Sequence, residues 1–477
     1  MRCYFCPVKR KKYLLENILV TGYAAEGKSL ARQDGKVIFI EGAVPGDVVD
    51  VFVSTNKKDY GEGKATHFHA YAAERVEPFC RHFGTCGGCK WQMLPYRKQL
   101  EYKQQEVMQN FRRIGKVALP EMLPIVGSDD TVHYRNKLEF TFSNKRYLTT
   151  AEIKTAPLGA GMEGALGYHA PRIFDKIIDI QECYLMDGIN NTIRNGIRSF
   201  ALENNYPYYD IKAHSGWLRN IIIRHCSTGE LMVNICLNYE AEAETKRLLD
   251  HVLQLAPSIT TLLYTINPKW NDTIYDLEPV VYHGKGFVTE KLGDFFFKIG
   301  PKSFFQTNTR QAEKLYTITR DFAGLTGHEI VYDLYCGTGS IGIFLSRLAR
   351  KIIGVEMVAE AIEDAKVNAA INHIDHAGFF TGDVIKICDD RFFAEHGRPD
   401  VIITDPPRAG MHEKLVIKLL EIAAPKIVYV SCNTATQARD LALLGEKYSV
   451  EKIQPVDMFP HTHHIECVVL LKLKDFT

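Results

Sequence analysis

From about residue 301 onward, short apolar runs alternate with helix-like stretches. The runs are EIVYDLYC (329–336), KIIGVE (351–356), AGFFTGD (377–383), DVIITDPP (400–407), KIVYVSC (426–432) and ECVVLLKLK (466–474). Strands separated by helices cannot pair as tight hairpins. Each needs a crossover, and the regular outcome is a parallel sheet wound on both faces, a Rossmann-like α/β arrangement. In such open sheets ligands sit at the carboxyl ends of the strands. The residues that close each run are therefore the first candidates for function.

The preceding chain reads differently. Residues 13–73 hold short β-like runs broken by Gly and Pro: ENILVTGYAAEGKSLAR, GKVIFIEGAVPGDVVDVFVS and GEGKATHFHAYAAERVEP. This pattern predicts a small five-stranded barrel, with Lys57 and Lys58 in a loop. Barrels of this kind present one face to RNA or serve as a structural cap. PYRKQLEYKQQEVMQNFRRI (95–114) has apolar residues at helical spacing. Residues 130–300 are β-rich, with one helix, EAETKRLLDHVLQLA. Three domains are expected: 13–73, 74–300 and 301–477. No internal repeat is visible.

Composition excludes some classes. With 46% hydrophobic and 24% charged residues the chain is neither disordered nor collagen-like. No apolar run reaches the ~18 residues of a membrane span. The opening MRCYFCPVKRKK has no apolar segment behind its basic residues, so a secretory signal is not expected and a cytoplasmic location is. The net charge of +1 hides an asymmetry. Residues 1–120 carry 20 Lys and Arg against 12 Asp and Glu, a net of +8, and the remainder carries 38 against 45, a net of −7. A basic front on an acidic body fits a polyanion-docking module joined to a catalytic part. A merely solvated basic surface is the plainer alternative.

Twelve cysteines without an export signal imply reduced thiols rather than a disulfide framework. Three are clustered in CRHFGTCGGCKWQ (80–92), spaced C-x5-C-x2-C. That spacing, with glycines between, lets Cys80, Cys86 and Cys89 converge on one centre. Zinc and a [4Fe–4S] cluster both suit thiolates. The fourth ligand must come from elsewhere. Cys183, in IQECYL (180–185) after a strand-like run, is the best candidate. Cys3 and Cys6 form an isolated terminal pair and are read as unligated.

YDLYCGTGSIG (332–342) lies between a strand and a helix, and its glycines allow close approach of a ligand. Glu356 ends the next strand, where an acid can grip a ribose diol. A dinucleotide fold is one reading. However, Asp383 ends the third strand and DPPR (405–408) the fourth. Acids at successive strand ends look like the S-adenosylmethionine methyltransferase fold. Amino-methylating enzymes with a similar signature carry an aromatic residue after the prolines. Arg408 stands there, which favours another acceptor.

SCNTATQARD (431–440) puts Cys432 at a strand end, and HTHHIEC (461–467) puts Glu466 at the opening of the last strand. Both should face one crevice. A cysteine, an acid and a methyl donor suit one reaction. Carbon 5 of uracil is a poor nucleophile until a thiolate adds at carbon 6 and creates an enolate. A base must then remove the carbon-5 proton, and elimination frees the cysteine. A buried, inert thiol is the alternative for Cys432.

At these residues the chain resembles the RNA uracil-5-methyltransferases. The resemblance runs from about residue 13 to the end through CRHFGTCGGCKWQ, HYRNKLEF (133–140), FFQTN (304–308), DLYCGTG, GVE, TDPPRAG, YVSCNTATQARD and DMFPHTHHIE. It implies Cys432 as nucleophile and Glu466 as proton acceptor. It places Gln306, Tyr335, Glu356 and Asp405 at the S-adenosylmethionine, with Asp383 near the adenine. It makes Cys80, Cys86, Cys89 and Cys183 ligands of a [4Fe–4S] cluster, and residues 13–73 an RNA-contacting TRAM (OB-like) barrel. Barrel and cluster together point to the branch that acts on large-subunit (23S) ribosomal RNA, with no membrane and no obligate protein partner. Thr434 departs from the proline that many relatives carry after the Asn.

Three other readings compete. One is a transfer-RNA uracil-5-methyltransferase, and another is a non-catalytic RNA-binding protein on the same fold. The third is a radical enzyme using cluster and S-adenosylmethionine together. That class resembles a C-x3-C-x2-C triad, whereas the first gap here is five.

Overall fold

The computed structural model describes residues 12–116, 118–157 and 159–475, so Cys3 and Cys6 lie outside the described residues. The chain forms two compact units. One runs to Glu106 and includes Pro460–His464; the other holds Val107–Phe459 and Ile465 onward. No helix among the described residues is long and apolar enough to cross a membrane.

The first unit is built on β1 (Tyr13–Leu19), β2 (Gly22–Tyr23), β3 (Ser29–Gln33), β4 (Lys36–Glu41), β5 (Val48–Asn56) and β6 (Tyr60–Ala70). They pair in the order β1-β5-β6-β4-β3-β2, with β1 and β2 at the edges. Six strands stand where five are expected. The additional one is the two-residue β2, too short to leave a periodic signal. Inward residues alternate along β4 and β5, so Ile38, Ile40, Val49, Val51 and Val53 make the core. Lys57 and Lys58 lie in the β5–β6 loop, as expected. Helix α1 (Tyr96–Asn110) follows.

Among the described residues the second unit contains two seven-stranded sheets and a two-stranded hairpin. The middle sheet comprises β7 (Lys137–Ser143), β8 (Ala165–His169), β9 (Ile177–Asp179), β10 (Leu218–His225), β11 (Leu231–Leu237), β12 (Thr261–Ile266) and β13 (Val280–Gly284). Its order is β13-β12-β11-β10-β7-β8-β9. Three helices intervene rather than one: α2 (Thr150–Thr155), α3 (Ile189–Glu203) and α4 (Glu242–Leu255). Helix α3 buries Ile193, Ile197 and Ala201, an apolar stripe of helical period. A hairpin of β14 (Val288–Leu292) and β15 (Phe295–Ile299) leads into α5 (Thr309–Ala323).

Beyond α5 come β16 (Ile330–Leu334), α6 (Ser340–Leu345), β17 (Lys351–Glu356), α7 (Ala359–Ile371), β18 (Ala377–Thr381), α8 (Val384–Ile387), α9 (Asp390–His396), β19 (Val401–Thr404), α10 (Glu413–Ile422), β20 (Lys426–Ser431), α11 (Thr434–Leu444), β21 (Tyr448–Val456) and β22 (Glu466–Leu473). The sheet order is β18-β17-β16-β19-β20-β22-β21. Strands β16 to β20 are parallel, while β22 is antiparallel to both β20 and β21. Every residue of β16 and β19 is buried, as a sheet covered on both faces requires. Strand β21 is the element the sequence reading omits. Its half-exposed start, SVEK, breaks the apolar run.

Candidate active site

The strand order brings the run-ending residues to one edge. Leu334 of β16 pairs with Val355 of β17 on one side and with Thr404 of β19 on the other. Tyr335, Glu356 and Asp405 therefore lie at the carboxyl ends of neighbouring strands. Ser431 of β20 pairs with Cys467 of β22, and Val456 of β21 pairs with Glu466. Cys432 thus leaves its strand where Glu466 enters the next one, because β22 runs backwards.

Burial and mutual charge set the electrostatics of these groups. Burial pushes the Cys432 thiol up to about 11, the nearby Glu466 and Asp405 carboxyls add to that, and Arg408 opposes it through charge and a hydrogen bond. Glu466 is buried at 7% exposure. Its carboxyl is held well above the usual range by burial and by Asp405, against the pull of Arg408. Burial also raises Asp405 to about 7. A thiol, two carboxyls and one guanidinium form a single coupled cluster.

The backbone that carries the cluster is tied down. Asn433 caps α11 by accepting the Ala435 and Thr436 N–H groups. Its Nδ2 donates to the Arg408 carbonyl at 3.0 Å, and Thr436 Oγ1 donates to the same oxygen at 3.2 Å. The helix that begins beside Cys432 therefore also fixes the Arg408 loop. Arg439 Nη2 donates to the Ala409 and Met411 carbonyls, and Asp440 accepts Met411 N–H at 2.8 Å. Gly410 has φ +75°, and a Cβ there would meet Arg439 and Asp440 below 3 Å, so only glycine fits the turn. Gln437 Nε2 bridges the Tyr429 and Cys467 carbonyls, locking β20 to β22 under Cys432. Thr434 Oγ1 accepts from Asn110 Nδ2 at 2.8 Å.

The other end of the edge is a cavity of about 340 Å³ lined by Tyr335, Val355, Glu356, Asp383, Ile385 and His412, among others. Glu356 is half-buried and accepts backbone N–H bonds from Gly337 at 3.3 Å, Met357 at 2.7 Å and Val358 at 3.0 Å. Asp383 caps α8 through Ile385 N–H. An acid at the rim, with aromatic and aliphatic walls, fits a nucleoside such as that of S-adenosylmethionine. Gln306 lies on the loop before α5, whose cap is Asn308.

Asp333 joins the candidate residues only in the structure. It is fully buried in β16, accepts the Gly342 N–H at 2.8 Å and is pushed up to about 7 by burial and by Asp405 and Glu356. A charged residue inside an otherwise apolar strand was the available signal. Arg408, which in the sequence only distinguishes the acceptor chemistry, supplies positive charge to both Cys432 and Glu466.

Cys80, Cys86 and Cys89 lie in the first unit, on a loop of consecutive turns, all half-buried. Phe83 N–H donates to the Cys80 carbonyl and Cys86 N–H to the His82 carbonyl, and a Cβ on Gly88 would lie 3.5 Å from Cys86 Sγ. Cys183 belongs to the second unit. It is buried, with its N–H on Asn191 and its Sγ 3.9 Å from the Tyr168 hydroxyl. None of the four is in a disulfide. Among the described residues no three His, Cys, Asp or Glu side chains gather about a single ion.

A sequence profile for tRNA (uracil-5-)-methyltransferase matches residues 281–384 and 390–474. An uncharacterized RNA methyltransferase of Bacteroides thetaiotaomicron is 54% identical over 94% of this chain and 100% of its own length. Another, from Porphyromonas gingivalis, is 49% identical over 95% of this chain and 98% of its own. Among solved structures, the Pyrococcus abyssi tRNA (uracil-54, C5)-methyltransferase in complex with S-adenosyl-L-homocysteine superposes with a TM-score of 0.72. It is 27% identical and covers 95% of this chain and 100% of its own. With profile, full-length relatives and fold in agreement, the chain belongs to the RNA uracil-5-methyltransferase family.

Proposed function

We propose that the protein transfers a methyl group from S-adenosylmethionine to carbon 5 of a uridine in 23S ribosomal RNA through a covalent Cys432 adduct. The observation that carries this reading is the antiparallel register of β20 and β22, which sets Cys432 beside the buried Glu466 and next to Arg408.

Glu356 would hold the ribose hydroxyls of the methyl donor, with Tyr335 and Asp383 flanking the adenine and Gln306 and Asp405 at the donor's other end. When bound, the donor supplies an electrophilic methyl group. Cys432 adds to carbon 6 as the thiolate, and Arg408 favours that charge. The cluster opposes two negative charges at once, so a thiolate is easiest to form while the neighbouring carboxyl carries a proton. Once sulfur is bonded to carbon, that opposition ends. Glu466 then gives up its proton to solvent, and the carboxylate so formed accepts the carbon-5 proton, after which the sulfur leaves as the thiolate.

The four cysteines Cys80, Cys86, Cys89 and Cys183 are assigned to a structural [4Fe–4S] cluster, and residues 13–73 to a TRAM-like module that contacts the RNA in the cytoplasm. Support comes from the thiol spacing, the basic front of the chain and the family resemblance. Iron analysis of anaerobically purified protein tests the first assignment, with about four irons per chain expected.

One observation favours a second substrate. The Pyrococcus abyssi enzyme is named for uracil 54 of tRNA, yet its whole length matches 95% of this chain. A long front end therefore does not by itself separate ribosomal from transfer RNA. Mapping 5-methyluridine in 23S and transfer RNA from cells with and without this chain decides. Loss at a 23S uridine is expected, and loss confined to transfer RNA replaces that substrate.

A further inference from the structure

We propose that Asn136, in the HYRNKLEF motif, is a positioning residue that holds the Gln306 loop in its donor-binding form, with Thr309 and Glu290 as its anchor. The inference rests on the donor role proposed for Gln306. Asn136 is 5% exposed and stands just ahead of β7. Its Nδ2 donates to the Gln306 carbonyl at 2.9 Å and to Thr309 Oγ1 at 2.9 Å. Its own N–H donates to the Thr307 carbonyl at 2.9 Å. One residue at the entrance to the middle sheet thus grips two consecutive carbonyls of the loop.

The anchor is buried and built from separate elements. Thr309 Oγ1 donates to Glu290 Oε2 at 2.9 Å. Glu290, on β14 and fully buried, takes Ser227 N–H at 2.8 Å and Lys291 N–H at 3.1 Å on its other oxygen. Arg135 Nη1 adds a contact to Thr307 Oγ1 at 3.3 Å. The loop between β15 and α5 is irregular, so without these bonds its carbonyls would have no fixed direction. Buried side-chain amides that satisfy loop carbonyls set geometry rather than chemistry. The expected consequence is a change in donor affinity without a change in the thiol.

The test compares S-adenosylhomocysteine affinity, by calorimetry, with the pH profile of Cys432 alkylation by iodoacetamide in the full-length protein. Asn136→Ala and Thr309→Val should each weaken binding about tenfold. Thr309→Ser, which keeps the hydroxyl, should bind like the parent. All three should keep the parental alkylation profile, which reports that the nucleophile's surroundings are intact. Asn136→Ala combined with Gln306→Ala should cost little more than Gln306→Ala alone. Parental affinity in Asn136→Ala and Thr309→Val, while Gln306→Ala and Glu356→Ala bind weakly, overturns the positioning role and leaves the donor site standing. Parental affinity in Gln306→Ala and Glu356→Ala overturns the donor site, and the positioning role with it. A Thr309→Ser variant as weak as Thr309→Val also overturns the role, because packing and not the hydrogen bond would then matter.

Discussion

The two ends of the strand edge hold acids in opposite states of hydration. At the β16–β17–β18 end, Glu356 is half-buried and satisfied by three backbone N–H groups. At the β19–β20–β22 end, Asp405 and Glu466 are packed together with Cys432 and raised by burial. One sheet thus supplies two kinds of carboxyl. The first is presented as a fixed acceptor, suited to gripping hydroxyls. The second sits where gaining or losing a proton changes the stability of its neighbours, which suits chemistry.

Breaking the buried end should have the largest effect. Cys432→Ala should lower methyl transfer to uridine-containing RNA by at least about a thousandfold, while S-adenosylhomocysteine still binds. Residual turnover near the parental rate would end the covalent mechanism. Glu466→Gln should slow release about a hundredfold, so that a protein–RNA adduct accumulates on denaturing gels. Absence of the adduct with every donor analogue would remove Glu466 as the base.

Breaking the hydrated end should act on binding alone. Glu356→Ala should weaken S-adenosylhomocysteine about ten- to a hundredfold by calorimetry and leave Cys432 alkylation unchanged. Arg408→Met tests the link between charge and thiol. Alkylation should speed up with rising pH as the thiolate forms, approaching its limit near the thiol's value of about 11. Without the guanidinium the thiol rises further, so the profile moves to higher pH, about tenfold slower at pH 8 for each unit of displacement. The smallest effect belongs to Thr434→Val. It removes the Asn110 hydrogen bond and should cost about 1 kcal/mol in urea unfolding with little change in turnover.

Much of the candidate site's edge is legible in the sequence because its residues sit at strand ends, and strand ends can be found from apolar runs. Each expected catalytic strand is present within a few residues. Strand β21 escaped because its polar opening hides it, and β2 because two residues carry no period. Asn136 could be quoted as part of a motif but not given work, since its partners Gln306 and Glu290 lie 170 and 154 residues away.

The sequence by itself determined the kinds of group available: a thiol and acids at the ends of buried runs, a cysteine-rich loop, and a basic front. These depend on local patterning, which burial enforces residue by residue. The tertiary structure alone decided which of those groups meet. The reversal of β22 joins Glu466 to Cys432, and the packing around Asp405 lifts carboxyls that would otherwise be ordinary acids. Register and burial are properties of the assembled sheet, and no single segment carries them.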